Sequence, residues 1–125
     1  MRDFKISFVT ETDGERETVS AVGACAVKSD GAFLKFSVCG VNYLVKATKN
    51  ETRVKASGDV DYALVFMPDK KTFTKICASG FSMRGEVETT DYSVGFAENF
   101  LNINIGYRLT VEGEKSFRRI HLKLP

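Results

Sequence analysis

The sequence predicts an all-β protein: one domain over residues 1–125, folded as an antiparallel up-and-down barrel of about eight to ten strands. Three observations support this prediction. Apolar and polar residues alternate through most of the chain, tight-turn signals recur between the alternating segments, and no window shows the 3.6-residue apolar period of a helix. Because a closed meander leaves no exposed strand edge, we favour a barrel over the alternative, a β-sandwich.

The first hairpin is predicted from alternation that an Asp-Gly pair interrupts. Phe4, Ile6 and Phe8 share one face of the first strand, with polar residues between them. Asp13-Gly14 then tolerates the positive φ angles of a tight turn, and alternation resumes over residues 17–28. These features predict two antiparallel strands joined by a short turn.

Turn and bulge signals divide the next part of the chain. Asp30-Gly31 repeats the hairpin signal, and Gly40 to Asn42 separates the third strand from the fourth. Gly58-Asp59 and Pro68-Asp69-Lys70 bound a sixth strand. Gly23 lies inside the second strand, where a missing side chain indicates a β-bulge.

The clearest strand lies near the C-terminal end. Six apolar residues share its inner face: Leu101, Ile103, Ile105, Tyr107, Leu109 and Val111. Before it, we predict a strand around Met83 to Val87 and a separate short extended stretch over residues 92–96. After it, Glu112-Gly113 predicts a turn into a last strand over residues 117–124.

Composition narrows the class of protein. The 18 basic and 16 acidic residues give a formal charge of +2 and are dispersed, unlike the basic stripe of a dedicated nucleic-acid binder. No apolar run approaches the roughly 20 residues that a membrane helix needs. The first residues alternate between polar and apolar, unlike a secretory signal. We therefore expect a cytoplasmic protein with no membrane partner.

Three cysteines, Cys25, Cys39 and Cys77, are widely separated within strand patterns. This spacing predicts buried, reduced thiols and no disulfide framework. Together with His121 they include the ligand types of a tetrahedral zinc site, but no two of them have the short spacing of a zinc motif. We predict no metal and no cofactor.

Candidate catalytic groups have simpler structural interpretations. His121, the only histidine, lies on the less apolar face of the last strand, without a local Ser or Cys nucleophile. Two carboxylate pairs, Asp59 with Asp61 and Glu86 with Glu88, each share one face of a strand, as solvated strand residues commonly do. The sequence therefore predicts no catalytic residue and no enzymatic activity.

Three segments carry a resemblance to a known family. The first is the run Val54-Lys55-Ala56-Ser57-Gly58-Asp59-Val60, which continues to Leu64-Val65-Phe66. The second contains Gly80, Met83, Gly85 and Thr89-Thr90, and the third contains Ile103, Ile105, Tyr107, Leu109 and Gly113. In order and spacing they resemble the central strand pair, the glycine-to-threonine strand and the C-terminal hairpin of the YwiB-like family.

That resemblance covers most of the chain and implies a lipocalin-like (calycin) barrel. The YwiB-like family consists of bacterial proteins of unknown function, so the resemblance implies no established activity. Its members often have a longer acidic segment where this chain has Cys39-Gly40-Val41-Asn42. The tryptophan near the first strand of lipocalins is absent, and Asp13-Gly14 leaves no room for the helical lid of fatty-acid-binding relatives.

The leading functional hypothesis is a non-enzymatic barrel that binds a small apolar or amphipathic ligand or acts as a protein-interaction module. Barrels of this strand number can enclose one small ligand. If this barrel does, its wall is predicted from the apolar parity of the strands to include Phe36, Tyr62, Phe66, Met83 and Tyr107. Packing of the interior is the alternative role of the same side chains.

The alternative function is binding of RNA or single-stranded nucleic acid through a basic outer face. Tyr43 and Tyr62 are the predicted stacking groups. The cations of this surface are predicted to be Lys46, Lys55, Lys70, Lys71, Lys75, Arg84, Arg108, Arg118 and Arg119. The sequence specifies neither a ligand nor an oligomeric state.

Overall fold

The structure, a computed structural model, describes residues 2–98 and 100–124 and contains ten β-strands in these ranges. In chain order the strands are β1 (Arg2–Thr12), β2 (Glu15–Lys28), β3 (Gly31–Val38), β4 (Val41–Ala47), β5 (Thr52–Gly58), β6 (Val60–Phe66), β7 (Lys71–Ala78), β8 (Phe81–Ala97), β9 (Phe100–Val111) and β10 (Glu114–Lys123).

Each strand pairs antiparallel with its neighbours in sequence, and β1 also pairs with β10. The first and last strands meet from Ser7 opposite Lys123 to Thr12 opposite Arg118, which closes the sheet into a barrel. The predicted all-β, up-and-down barrel is confirmed and is consistent with a calycin-like architecture. Closure excludes the β-sandwich alternative and removes the free edges of an open sheet.

The core fills the barrel with the side chains of one face of every strand. On β9, residues 101, 103, 105, 107 and 109 are all buried, as their alternation predicts. Burial of apolar surface is worth roughly 25 cal/mol per Å² and explains why this face turns inward. Phe66, Leu34, Ile6 and Leu122 are among the most buried side chains.

Four hairpins turn through a residue followed by glycine, both with positive φ: Asp13-Gly14, Cys39-Gly40, Ser79-Gly80 and Glu112-Gly113. Such turns match the right-handed twist of the strands that they join. The turn between β3 and β4 was predicted at Gly40 to Asn42, but Cys39 and Gly40 form it. Cys39 therefore lies in a turn and is exposed. The expected burial holds for Cys25 but not for Cys39, which is exposed, or for Cys77, which is half-buried.

The β2–β3 turn also differs by one residue from its prediction. Ser29 and Asp30 form the turn, and Gly31 begins β3 opposite Lys28. A Cβ atom on Gly31 would lie 2.8 Å from the Ala47 carbonyl oxygen. The glycine is therefore needed for close approach to β4 and not for the turn itself.

Strand β8 unites two segments that were predicted separately. In the first part of β8 the inward-facing residues have odd numbers: Gly85, Val87 and Thr89. In the second part they have even numbers: Tyr92 and Val94. A register shift between Thr89 and Asp91 against β9 changes the parity. A β-bulge inserts one residue and so changes the inward-facing parity of every later residue. The break in alternation marks this bulge and not a loop.

Gly23 shows no bulge. The β1–β2 register runs without interruption through Phe4 opposite Gly23. A Cβ atom on Gly23 would overlap the Lys35 carbonyl oxygen and would lie 2.7 Å from the Phe36 Cβ. The bulge prediction was wrong because glycine here permits β3 to pass close to β2 as the barrel curls.

The seam between β6 and β7 is only partly closed by backbone pairing. Its ladder covers three residue pairs and ends at Tyr62 opposite Ile76. Beyond that point the Thr74 hydroxyl donates to the Ala63 carbonyl at 2.6 Å, and the Thr72 hydroxyl donates to the Val65 carbonyl at 2.5 Å. Side chains replace backbone donors along this part of the barrel.

Residues 2–98 and 100–124 include no helix that is long and apolar enough to span a membrane.

Candidate ligand site at the mouth of the barrel

Arg118 lies on the inner face of β10, in the same parity as the buried residues Ile120 and Leu122. It is opposite Tyr107 on β9 and Thr12 on β1. Its Nε donates a hydrogen bond to the Ser116 hydroxyl at 3.1 Å. None of the ion pairs formed within the described ranges includes Arg118. A cation without a carboxylate partner therefore lies inside the barrel wall.

Two tyrosines, Tyr107 and Tyr62, lie close enough to this guanidinium to interact with it electrostatically. Tyr107 is 5% exposed, and burial raises its pKa, while the adjacent Arg118 acts in the opposite direction. Burial also raises the pKa of Tyr62 far above its ordinary value, and interaction with Tyr43 adds to the shift. Because a phenol with a raised pKa stays protonated, both hydroxyls remain hydrogen-bond donors at neutral pH.

Arg118 and these tyrosines line a pocket of about 100 Å³ within the barrel, which we call the inner pocket. Its polar lining residues are Thr10, Tyr43, Tyr62, Tyr107 and Arg118. Its apolar lining residues are Phe8, Phe36, Val45, Val54, Leu64, Ile120 and Leu122. The Phe8, Phe36 and Tyr43 rings pack with centroids 5.1–5.4 Å apart and form a rigid apolar side of this pocket.

A larger cavity of about 640 Å³ lies at the end of the barrel where the β7–β8 and β9–β10 hairpins turn. We call this end the mouth. Tyr62 and Arg118 belong to the walls of both cavities, so Arg118 lies at their junction. The apolar lining residues of the mouth are Val60, Ile76, Met83, Leu109 and Val111, and its other polar lining residues are Asp13, Glu112, Glu114, Lys115 and Ser116. It therefore combines an apolar wall and a charged rim of both signs with a cationic and hydroxyl-bearing inner end.

The five residues predicted to line a cavity separate into three groups. Phe36, Tyr62 and Tyr107 line the inner pocket. Met83 is 36% exposed and lines the mouth. Phe66 is fully buried and packs on Tyr107 with ring centroids 4.7 Å apart, so it supports the wall from outside both cavities.

Arg118 was predicted to lie on the outer basic face, but the structure places it on the inner face, at the wall of the inner pocket. A signal was available, because the residue shares the parity of Ile120, Leu122 and Leu124. Tyr43 and Tyr62 were also expected to be available outside for stacking, but both pack against the core. The predicted outer surface was therefore wrong for Arg118, Tyr43 and Tyr62, because alternation turns these three side chains inward.

Several remaining cations of that predicted surface have acidic partners. Lys71 Nζ lies 3.2 Å from Glu86 and 3.8 Å from Glu88, and Arg108 lies 3.5 Å from Glu88. The pair Glu86 and Glu88 therefore forms part of a surface ion-pair network.

On the neighbouring part of the sheet, Arg119 pairs with Asp91 and also donates to Asn104 at 2.7 Å. A Cβ atom on Gly106 would lie 2.8 Å from the Arg119 guanidinium, so this glycine gives the arginine room to cross β9. The Arg119 guanidinium is therefore held against the outer surface of the sheet by Asp91 and Asn104, and its charge is paired.

The other candidate chemical groups are dispersed. His121 faces outward, with Nε2 2.6 Å from the Asn102 side-chain oxygen, and burial followed by nearby cations lowers its pKa. The Asp61 carboxylate accepts a hydrogen bond from the Gly58 amide. Across the part of the chain that the structure describes, no three His, Cys, Asp or Glu residues are grouped to hold a metal ion.

One known protein family matches this chain over almost its whole length. Residues 5–124 match the model of a domain of unknown function, DUF1934. The chain belongs to the DUF1934 family. No curated protein matches it significantly.

A solved structure has the same architecture. The crystal structure of the ywiB protein from Bacillus subtilis superposes with a TM-score of 0.74 and 22% sequence identity. The match covers 98% of this chain and 90% of that one. The resemblance to the YwiB-like family is thereby confirmed, and at this identity the superposition establishes the fold alone.

Proposed function

We propose that this DUF1934 barrel binds a small amphipathic molecule, with its acidic head group at Arg118 and its apolar body in the mouth. One observation carries the proposal: Arg118 lies at the junction of the inner pocket and the mouth without a carboxylate partner among the described residues. Such a guanidinium loses hydration without gaining an ion pair, and an anionic ligand would restore the balance.

The hydroxyl groups support an acidic head group. Tyr107 and Tyr62 are kept protonated by burial, so each can donate to an anionic oxygen while Arg118 neutralises its charge. Hydrogen bonds to charged groups are worth about 1.5–3 kcal/mol, more than neutral ones. The inner pocket of about 100 Å³ suits a compact head group.

The mouth supports an apolar body on the same ligand. Its volume of about 640 Å³ lies in the usual range of small-molecule sites, roughly 300–1,000 Å³. Met83 and Ile76 face each other across the β7–β8 ladder in this wall. A methionine adapts its shape to different apolar surfaces, which suits a ligand-binding entrance.

The proposed role is binding without catalysis, in a reducing compartment such as the cytoplasm. Arg118 and protonated phenols stabilise an anion, but they lack the matched acid and base of hydrolytic sites. Cys25, Cys39 and Cys77 are all free thiols, as is usual for cytoplasmic proteins.

Titration of the protein with decanoate, a single-chain carboxylate, tests this proposal. Isothermal calorimetry would measure affinity, and methyl NMR shifts of Ile76, Met83 and Leu109 would locate the ligand. We expect Arg118→Gln to weaken decanoate binding about tenfold or more, because one charge-assisted interaction is lost. Arg108→Gln is the matched control, since Arg108 lies on the outer face in an ion pair.

Decanol provides the second arm, because it keeps the apolar chain and lacks the charge. Its affinity should be the same for the wild-type protein and Arg118→Gln. Decanoate binding that is equal in the wild type and Arg118→Gln would reject the head-group site. Absence of shifts at the three methyl-bearing residues would reject the mouth as the binding site.

A further inference from the structure

The outer face carries a row of cations that crosses six strands. Lys35 on β3 aligns through Leu44 with Lys55 on β5, and Lys55 aligns with Ala63 on β6. Beyond the seam, Lys75 on β7 is opposite Arg84 on β8. Ala63, Lys75 and Arg84 line one surface groove, so the row continues across the seam. We call Lys35, Lys55, Lys75 and Arg84 the basic row.

The basic row has no acidic residue among its aligned positions. All four cations are exposed, and none belongs to an ion pair formed by residues 2–98 or 100–124. This distinguishes the row from the neighbouring cations Lys71 and Arg108, whose charges are balanced by Glu86 and Glu88. The positive field of the row is therefore available to an anionic partner.

An exposed aromatic ring lies beside the basic row. Phe73 on β7 is 80% exposed and alternates on the outer face with Lys71 and Lys75. It forms part of a groove of about 460 Å³ together with Lys75 and Arg84. Glu86 lies opposite Phe73 on β8, and its charge is balanced by Lys71. A ring beside cations in a groove is an arrangement that can stack an unpaired base while the cations contact its phosphates.

The incomplete β6–β7 seam adds polar character to the same groove. Ala63 and Thr74 lie at the seam and also line the groove. Backbone pairing stops before this point, so the edge of β7 is not occupied by a regular ladder. The Ala63 and Val65 carbonyls at this seam already accept hydrogen bonds from the Thr74 and Thr72 hydroxyls, so these two acceptors are satisfied within the barrel.

From these features we propose that the outer face of β3–β8 binds single-stranded nucleic acid, with a base on Phe73 and the phosphate backbone along the basic row. Lys35, Lys55 and Lys75 lie on alternate strands, about 10 Å apart given a strand spacing of about 4.8 Å, and Arg84 lies on the strand next to Lys75. A flexible polyanion can contact cations at such spacings. A peptide of Asp and Glu could use the charges, but its side chains have no aromatic face to stack on the exposed Phe73 ring. A duplex keeps its base faces stacked and cannot use that ring.

Fluorescence anisotropy with labelled oligouridine of about 12 nucleotides tests the proposal with the full chain. For four phosphate contacts, the logarithm of the association constant should fall with the logarithm of salt concentration with a slope of about −3. The double variant Lys75→Gln/Arg84→Gln should weaken binding and reduce that slope by about 1.4. Phe73→Ser should weaken binding about tenfold with little change in slope, because it removes stacking and no charge.

Matched controls lie on β10. Phe117 is a second exposed phenylalanine, and Lys115 and Lys123 are exposed cations outside the basic row. Phe117→Ser and Lys115→Gln/Lys123→Gln should leave oligouridine affinity within about twofold. Arg118→Gln should also bind normally, which separates this surface from the ligand site in the mouth. Circular dichroism would verify that each variant keeps its β-sheet spectrum.

Three results would each overturn the inference. The first is no binding of oligouridine at about 50 mM salt, where phosphate contacts are strong. The second is equal weakening by the β10 controls and the basic-row variants. The third is equal or tighter binding of a duplex or of polyglutamate of the same charge, which would assign the surface to a different partner.

Discussion

Arg118 and Tyr107 are directly opposite each other in the β9–β10 ladder, and both side chains lie on the inner face of the barrel. The next residue, Arg119, points outward and pairs with Asp91. Two adjacent arginines therefore have opposite roles, because alternate residues of a strand face opposite sides of the sheet. One stabilises the outer surface, and the other lies at the entrance to the interior.

The buried tyrosines predict a loss of stability at alkaline pH. Burial holds the pKa of Tyr62 in the folded protein above its ordinary value of 10.0. Above about pH 10 the unfolded chain loses this proton while the folded protein retains it. The contribution of Tyr62 to the free energy of unfolding should therefore be nearly constant from pH 8 to 9. It should then decrease as pH rises beyond 10.

Urea denaturation monitored by circular dichroism at several pH values checks this prediction. Tyr62→Phe removes the ionisable hydroxyl and should make the alkaline decrease shallower. Tyr92 and Tyr107 also have pKa values raised by burial, so part of the decrease should remain. An alkaline decrease equally steep in Tyr62→Phe and the wild type would contradict the assignment to Tyr62.

Gly23→Ala should destabilise the barrel by about 1–3 kcal/mol, the usual cost of forcing an additional carbon into a packed site. The new Cβ would overlap the Lys35 carbonyl and approach the Phe36 side chain at 2.7 Å. Gly95→Ala is the matched control, since its nearest contact is the Phe100 ring at 3.4 Å. Urea denaturation should show a large difference between the two variants, and similar midpoints would refute the close-packing role of Gly23.

Phenylalanines on opposite faces should differ sharply in their contribution to stability. Phe66 is fully buried against Tyr107, so Phe66→Ala should cost about 3–5 kcal/mol. Phe73→Ala removes an exposed ring and should change the free energy of unfolding by no more than about 0.5 kcal/mol. A large destabilisation by Phe73→Ala would show that this ring supports the fold and is not free for binding.

Cys39 and Cys25 should differ most in their reactivity, with the half-buried Cys77 between them. Cys39 lies exposed in a hairpin turn, whereas Cys25 is buried and its pKa is raised by burial. Ellman's reagent should modify Cys39 rapidly in the folded protein and Cys25 only after denaturant is added. Cys39→Ser should remove the fast phase while Cys25→Ser leaves it intact. A fast phase that persists in Cys39→Ser would mean that another thiol is accessible.

Most of the strand structure could be predicted from alternation, because each strand has one buried face. The inner face of β9 and the turns at Asp13-Gly14 and Glu112-Gly113 follow directly from local residues. The predictions failed where one residue type serves several purposes. Glycine permits a turn, a bulge or a close approach, and at Gly23 only the position of β3 distinguishes them.

The candidate site was predicted in part. Phe36, Tyr62 and Tyr107 do line the inner pocket, because apolar parity identifies inward residues. Phe66 has the same inward parity but packs behind Tyr107, so parity alone does not identify which inward residues border a cavity. Arg118 was assigned to the wrong face because its charge was given more weight than its parity.

By itself the sequence determined the period of two, the sites of most turns and hence a meander of short strands that hides one face. These properties depend on neighbouring residues, since backbone geometry and apolar burial act within each segment. Only the tertiary structure decided which strands meet at the mouth, where Arg118 reaches the tyrosines, and how Lys55 aligns with Lys75 across the seam. Barrel closure and register bring together residues that are far apart in sequence, and no local pattern encodes those distances.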